Sequence, residues 1–398
     1  MSETTLFGEI LELDQNYVMQ TYDRFALALK GGKGSLLYGE DGNTYIDLGA
    51  GIAVNIFGVA DLEWIQSVTA QLGLISHTSN LYYNLPQLKL AELMCQVSGF
   101  SKVFFCNSGT EANEGAIKAA RKYSSSKYLG ESRFEIVTLR NSFHGRSYGA
   151  LSATGQESLQ EGLGPMLPGF SYIDAGDLDA FKKIADSGKC CAIMLEVIQG
   201  EGGLNVLDSD FVKGVGEIAK EHDILVIIDE VQTGNGRTGK MFGYEHFEIA
   251  PDIITTAKGI GGGLPFGAIL FAETAKDSLT PGSHGSTFGG NAAVASGVIS
   301  IYNRLTPELM EEVAKKGEYL MSELSGAPGV ESVSGMGLMV GVKPKYRPAN
   351  EVVKSMMSKR VLAILAKDKI RLLPALNIPM ELLEQAVEVL KEELAVES

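Results

Sequence analysis

Ile224-Leu-Val-Ile-Ile-Asp229-Glu-Val-Gln-Thr-Gly234, followed by Thr255-Thr-Ala-Lys258-Gly-Ile-Gly-Gly-Gly263, is the stretch whose reading decides the fold. The five apolar residues 224–228 predict a strand covered on both faces, the habit of a parallel sheet inside an α/β domain. A strand that ends at Asp229 sets a carboxylate at the sheet's C-terminal edge, where open α/β sheets bind ligands. Lys258 stands among small and apolar residues. Such surroundings strip hydration from an ammonium, lower its pKa and make the amine a nucleophile. Asp229 and Lys258 are therefore expected to serve one cofactor, with the glycines at 259, 261, 262 and 263 giving it and the lysine room.

Outward from this stretch, strand and helix patterns alternate. Residues 134–139, 190–195, 253–255 and 268–272 read as further strands, and 177–187 and 209–221 as helices between them. That alternation predicts a mostly parallel sheet with helices on its faces. Polar motifs fall in the connecting loops, at Asn141-Ser-Phe-His-Gly-Arg146 and Glu196-Val-Ile-Gln-Gly-Glu201. Upstream, residues 102–121 read as strand, turn and helix, with Ser108 and Glu111 at capping-box spacing. A helix that starts after Ser-Gly-Thr offers free N–H groups, hydroxyls and a positive dipole end, all suited to phosphate. The same pattern also fits a capped helix that binds nothing. Nearer the N-terminus, Gly31-Gly-Lys-Gly34 reads as a turn, residues 38–48 as two short strands around Asp-Gly, and 86–98 as a helix. After Gly290 the character changes to amphipathic helices at 307–324 and 380–394 around a strand at 337–342.

Composition narrows the function. At 398 residues with 45% apolar and 21% charged residues, the chain is an ordinary globular one, long enough for two domains. A formal charge of −15 argues against nucleic acid or an anionic membrane as partner. No apolar run approaches the ~18 residues of a membrane span, and the acidic N-terminus is not expected to be a secretory leader. Cys95, Cys106, Cys190 and Cys191 lack Cys-x-x-Cys spacing and suit reduced, buried thiols; with no His-Glu-x-x-His, no metal site is expected. Gly234-Asn-Gly-Arg-Thr-Gly-Lys240 matches a phosphate loop. Met241, however, stands where a magnesium-binding hydroxyl belongs, and no convincing helix follows, so an ATPase is not expected.

Taken together and in order, the motifs resemble the fold-type I pyridoxal-phosphate enzymes, specifically the class III aminotransferases and within them the acetylornithine aminotransferase family. The resemblance rests on Ala50-Gly-Ile-Ala-Val-Asn55, His77-Thr-Ser-Asn-Leu-Tyr82, Phe143-His-Gly-Arg146, Gln199-Gly-Glu-Gly-Gly203, Asp229-Glu-Val-Gln-Thr-Gly234, Ala257-Lys-Gly-Ile-Gly-Gly-Gly-Leu-Pro265, His284-Gly-Ser-Thr-Phe-Gly-Gly-Asn291 and Ile370-Arg-Leu-Leu-Pro374. It implies that Lys258 joins the cofactor covalently and shuttles a proton, and that Asp229 keeps the pyridine nitrogen protonated. It further implies that Gln232 bonds near the ring hydroxyl, Phe143 stacks on the ring, and Ser108, Gly109 and Thr110 hold the phosphate. Thr287 would reach the phosphate of a neighbouring subunit in a homodimer with shared sites. Arg146 would bind the donor's α-carboxylate and Arg371 a carboxylate of 2-oxoglutarate or glutamate, with Glu201 neutralising Arg371 when the donor is bound. Ser286, Tyr22 and Asn55 complete the implied substrate set.

The implied division is an N-terminal segment 1–48 of a small domain, a large cofactor-binding α/β domain 49–290, and a small α+β domain 291–398. The implied reaction moves the δ-amino group of N2-acetyl-L-ornithine to 2-oxoglutarate in the cytoplasm, as in arginine biosynthesis, giving the N-acetylglutamate semialdehyde and glutamate. N-succinylornithine, ornithine and 4-aminobutyrate are rival donors, and the His77–Tyr82 motif favours the acylated ornithines. Aminomutases and racemases share the lysine chemistry but need no Glu201–Arg371 gate. Three departures stand out: Val59-Ala-Asp-Leu62 where His-x-His-Pro is frequent, Val197 for a common proline, and Ala26 likewise. None touches the cofactor roles; the first lies by the substrate entrance.

Overall fold

The computed structural model describes residues 6–130 and 132–397; residues 1–5 of the N-terminal segment read above lie outside them. A seven-stranded sheet forms the centre, in the order Lys102–Cys106, Gly267–Phe271, Ile253–Thr256, Leu225–Asp229, Cys190–Leu195, Glu135–Leu139, Phe170–Ile173. Gly267–Phe271 runs antiparallel to both neighbours and the remaining pairs are parallel. Every position of Cys190–Leu195, Leu225–Asp229, Ile253–Thr256 and Gly267–Phe271 is buried. Each fully buried Val, Leu or Ile there contributes roughly 1.5–3 kcal/mol, which is why these apolar runs settle in the middle of the sheet. The strand expected at 224–228 begins and ends one residue later, so Asp229 is its last residue.

Helices cover both faces. On one, Gly109–Lys127 presents Ala112, Ala116, Ala119 and Ala120, whose small side chains let the helix lie close to the sheet. A Cβ on Gly115 would stand 2.3 Å from Ile269 Cδ1, so a larger residue there would have to displace the tip of that side chain. On the other, Leu178–Ala185 and Ser209–Glu221 bury Phe181, Phe211, Val212 and Val215. Helix Ala292–Tyr302 packs against Leu62–Leu72 and Leu85–Ser98. No helix among the described residues is long and apolar enough to cross a membrane.

Two four-stranded sheets flank the centre. In one, Leu29–Lys33, Leu36–Gly39 and Thr44–Asp47 form a meander that pairs in parallel with Val361–Leu362, which ties the two chain ends together. In the other, Val330–Met336, Met339–Pro344, Lys369–Leu372 and Ile364–Ala366 carry Arg371, and Pro307–Leu324, Ala349–Ser358 and Met380–Leu394 belong to the same region.

Three expectations are corrected. Gly31 and Gly32 do not form a turn: they lie in the strand Leu29–Lys33, and the chain reverses at Gly34, whose φ is +60°. Phe170–Ile173 is a strand that the sequence reading passed over. The capping box at Ser108 is half formed. Ser108 Oγ accepts from Glu111 N, but Glu111 Oε2 accepts from Asn107 N at 2.7 Å rather than reaching back to the cap itself.

Candidate active site

The C-terminal edge of the central sheet opens onto a cavity of about 640 Å³ whose walls include Asp229, Lys258, Gly109, Thr110, Phe143 and Glu201. Its floor is the most tightly bonded part. Asp229 Oδ2 accepts from Asn113 Nδ2 at 2.7 Å and pairs with His144 Nδ1 at 2.8 Å, while Oδ1 accepts from Val231 N at 3.0 Å. Asn113 also donates to His144 O and accepts from Thr255 Oγ1, both at 2.7 Å. His144 N donates to Thr154 Oγ1 at 2.9 Å. Buried and fully partnered, the Asp229 carboxylate is held in one place.

Lys258 follows the strand Ile253–Thr256, starts a short 3₁₀ turn and adopts φ +49°, a left-handed conformation that a lysine holds only when its surroundings demand it. Among the described residues no hydrogen bond or ion pair holds its amine. Burial pulls the amine below the ordinary lysine value and Arg371 adds to that, against the pull of Glu201, Asp229 and Glu196. The result is an amine without a bonding partner among the described residues and a fixed carboxylate, both lining one cavity. Burial, then the neighbouring Asp229, pushes the Glu196 carboxyl well above its usual range; its Oε2 accepts from Phe143 N at 3.2 Å.

Gly109 and Thr110 line the cavity in the first turn of Gly109–Lys127, behind the Ser108 cap, where backbone N–H groups have no partner within the helix. A Cβ on Gly109 would fall 2.7 Å from Val231 Cγ1, and one on Gly145 would fall 2.3 Å from Thr110 Oγ1. The turn is thus packed for backbone approach. The glycines after Lys258 do other work than expected. A Cβ on Gly262 would meet Trp64 Nε1 at 2.7 Å, and Gly262 and Gly263 have φ of +62° and +121°. They let the chain turn beneath Trp64, and of the four only Gly263 lines the cavity.

Glu201 and Gln232 line the wall above the floor, and the buried Arg371, which does not itself line the cavity, donates from Nη1 to Glu201 Oε1 at 2.6 Å and to Gln232 Oε1 at 3.4 Å. Arg371 is 3% exposed, while Glu201 keeps a third of its side chain open. Burial pushes the Glu201 carboxyl up, but Arg371, with Lys258 and Gln232, outweighs it and leaves the carboxyl below its usual value. Arg146 is exposed beside the Phe143 ring, 5.6 Å from its centroid, and has no ion-pair partner among the described residues. Tyr22 reaches the cavity, whereas Asn55 lines a neighbouring one. Ser286 and Thr287 are not brought to this cavity. Ser286 Oγ accepts from Asn107 Nδ2, and the exposed Thr287 sits beside His77 and Phe288. Asn113, His144, Thr255 and Glu196 were missed as site residues, although His144 stands inside a motif quoted for its neighbours.

Comparison with known proteins gives this geometry its context. The model of the family "Aminotransferase class-III" matches residues 17–394. An acetylornithine aminotransferase from Haemophilus ducreyi is 48% identical over 388 residues, 97% of this chain and 98% of that protein. One from Bacillus subtilis is 41% identical over 383 residues, 95% of this chain and 97% of its own length. Among solved structures, the N-acetylornithine aminotransferase of Stenotrophomonas maltophilia superposes with a TM-score of 0.83 at 32% identity, covering 97% of this chain and 98% of that one. The ornithine aminotransferase of Toxoplasma gondii superposes at 0.93 and 28% identity, covering 98% and 96%. A second structure of that enzyme describes pyridoxal phosphate at partial occupancy in its active site. The match spans nearly the whole chain, and the chain belongs to the class III aminotransferases.

Proposed function

We propose that this chain is a pyridoxal-phosphate transaminase that moves the δ-amino group of N2-acetyl-L-ornithine to 2-oxoglutarate, yielding N-acetyl-L-glutamate 5-semialdehyde and L-glutamate. The observation that carries the reading is the pairing of two features around one cavity: the Lys258 amine with a fully bonded Asp229, and a Glu201 on the wall that is ion-paired with the buried Arg371. The acyl group fits the chemistry, because a free α-amine would cyclise onto the product aldehyde.

The residues present fit the cofactor. The unpartnered Lys258 amine is placed to hold it covalently, Asp229 to pair with its ring nitrogen, and Gly109 and Thr110 at a helix N-terminus to hold its phosphate. Ser108 supports that turn as its cap, and Phe143 and Gln232, which line the cavity, would cover the ring and bond beside its hydroxyl. When bound, the cofactor supplies a protonated ring that accepts the electron pair left as the substrate carbon loses its proton. Lys258 Nζ, lowered towards neutrality by burial, takes that proton and later returns it. Asp229, fixed by Asn113 and His144, holds the ring nitrogen's proton through both halves of the reaction. Arg146, without an ion-pair partner among the described residues, binds the donor's α-carboxylate. Glu201 neutralises Arg371 while the donor is present and releases it to a carboxylate of 2-oxoglutarate afterwards. Tyr22, which reaches the cavity, meets the acyl end of the donor, while Asn55 lies in the neighbouring cavity.

A homodimer completes the sites in this reading, with Thr287 reaching the partner's phosphate and Ser286 beside it. Leu81, Tyr82, Tyr83 and Phe288 are 87%, 72%, 94% and 61% exposed, an apolar surface that supports a subunit contact around Thr287. The unpaired thiols of Cys95, Cys106, Cys190 and Cys191 suit the cytoplasm, where arginine synthesis uses such a reaction. The reading assigns the 1–48 and 291–398 segments to the small domain and 49–290 to the large one; Ala292–Tyr302 packs against Leu62–Leu72 and Leu85–Ser98 of the latter.

A half-reaction panel tests the donor. N2-acetylornithine, N-succinylornithine, ornithine and 4-aminobutyrate are each mixed with the holoenzyme without acceptor, and the bound cofactor's absorbance is followed. Acetylornithine is expected to convert it fastest; conversion by ornithine or 4-aminobutyrate at equal or greater rate sinks the donor assignment.

A further inference from the structure

The Gly234-Asn-Gly-Arg-Thr-Gly-Lys240 stretch, which matches a phosphate loop in sequence, contributes nothing to the wall of the Lys258 cavity and leads into the short 3₁₀ turn Gly243–His246 instead of a long helix. It runs into the sheet that carries Arg371, and its glycines mark the closeness of the fit. A Cβ on Gly239 would stand 3.1 Å from Ala314 Cβ, and one on Gly236 3.1 Å from Leu376 Cδ1. From the other side, Gly337 has φ +53°, and a Cβ there would stand 2.6 Å from the carbonyl carbon of Thr238.

Arg237 sits at the centre of this junction, 2% exposed. Its Nη1 donates to Leu338 O at 3.0 Å and to Pro374 O, while Leu338 N donates back to Arg237 O at 3.0 Å. Nη2 has no partner, and no carboxylate pairs with the guanidinium among the described residues. Burial brings its pKa down to about 9. A buried cation without a counter-ion is a costly way to join two elements, and hydrophobic packing does that more cheaply. Its retention here points to a placement that packing alone does not specify.

What is being placed is visible in the register. Leu338 immediately precedes the strand Met339–Pro344, and Pro374 lies two residues beyond Lys369–Leu372. These two strands pair directly, Gly341 opposite Arg371 and Val340 opposite Leu372. One guanidinium therefore ties together the ends of both strands beside Arg371. Five residues earlier in the same loop, Gln232 Oε1 accepts from Arg371 Nη1 at 3.4 Å. The loop thus meets the cavity at Gln232 and grips the strand pair at Arg237. Both carbonyl oxygens accept from the one nitrogen Nη1, whose two N–H directions the rigid guanidinium plane fixes, whereas a lysine ammonium turns freely on its stem.

We propose that Arg237 is a positioning residue for Arg371: it locks the Met339–Pro344 and Lys369–Leu372 strand pair to the loop after Asp229, so that Arg371 stands at the height where it receives the carboxylate of 2-oxoglutarate. This rests on the reading of Arg371 as the acceptor's carboxylate site. Glu201 and Gln232 touch Arg371 directly, whereas Arg237 acts only through the strands.

The test measures the two half-reactions separately on Arg237→Lys, Gly337→Ala and Arg371→Lys holoenzymes. Arg237→Lys is expected to raise the KM for 2-oxoglutarate about tenfold with kcat changed less than about threefold, and to leave the acetylornithine half-reaction within about twofold of wild type. Gly337→Ala, which forces the same junction apart from the opposite side, is expected to show the same split. It carries the test alone if Arg237→Lys does not yield folded holoenzyme. Equal slowing of both half-reactions overturns the proposal, since a merely structural lesion acts that way; no change in either overturns it too. If Arg371→Lys leaves the 2-oxoglutarate half-reaction untouched, the reading of Arg371 fails, and the proposal with it. A normal split in Arg371→Lys without one in Arg237→Lys or Gly337→Ala overturns the role of Arg237 alone.

Discussion

On the floor of the cavity, Asp229, His144, Asn113 and Thr255 are 4%, 1%, 1% and 0% exposed and hydrogen-bond one another. On the wall, Arg146 is exposed with no ion-pair partner among the described residues, Tyr22 is 72% exposed, and Glu201 pairs with the buried Arg371 in an ion pair that opens on the Glu201 side. Neither arrangement could do the other's work. A carboxylate that must keep one proton on a ring through two half-reactions needs fixed partners, because any reorientation changes the field at the reacting atoms. A wall that must receive an amino donor and then a dicarboxylate needs a charge that can be covered and uncovered. Rigidity is concentrated where the chemistry is shared, and exchangeable pairing where the two substrates differ.

The largest way to break the floor is Lys258→Ala. Steady-state transamination should fall by about 10²–10⁴-fold or more, the contribution of a positioned proton-transfer group, for every donor alike. A donor-dependent loss would move Lys258 to the wall. Next comes Glu230, directly after Asp229 in sequence and 0% exposed, whose Oε atoms accept from Thr233 Oγ1, Gly243 N and Tyr244 N. Burial raises its carboxyl to about 7. The folded state therefore keeps a proton that the unfolded state has released, so stability falls as pH rises from about 4.5 to 7, by up to about 3 kcal/mol. Urea unfolding across that range should show the decline in wild type and a flatter profile in Glu230→Gln. Equal slopes would contradict a buried, titrating Glu230.

Smaller effects sharpen the wall. Glu201→Gln leaves Arg371 without its charged partner, and the acetylornithine half-reaction should slow about tenfold while the 2-oxoglutarate half-reaction holds or improves. Uniform slowing would mean that Glu201 belongs with the floor. Tyr22→Phe removes one exposed hydroxyl, and the preference for acetylornithine over ornithine should change by less than about tenfold, read as a ratio of kcat/KM.

The sheet was legible where its strands are apolar on every position. Residues 190–195 and 253–255 read as strands because a parallel strand buried on both faces has no polar alternation to confuse it. Phe170–Ile173 was not, since at the sheet's edge it is only partly buried and its Phe-Ser-Tyr-Ile pattern is short. Gly31 and Gly32 misled for the opposite reason: glycine marks turns by default, but a peripheral strand accepts it. Asp229 and Lys258 stood out within one 40-residue stretch because their neighbours are small or apolar. The floor's other members did not. Asn113 is 116 residues from Asp229 and 142 from Thr255, and pairings at that distance leave no local spacing to read. A signal was nevertheless present: Asn113 is a polar residue on the alanine-rich buried face of a helix, and such a group needs a buried partner. The Glu201–Arg371 pair, 170 residues apart, was reached through family resemblance alone.

The contrast between a shared floor and a switching wall is tested most directly by following the two half-reactions of Arg371→Lys in a stopped-flow instrument. The 2-oxoglutarate half-reaction should slow by about 30-fold or more, as when one partner of a buried, hydrogen-bonded charge pair is lost, with the acetylornithine half-reaction within a few-fold of wild type. Equal slowing of both would contradict the account, because Arg371 would then be part of the machinery that both substrates share.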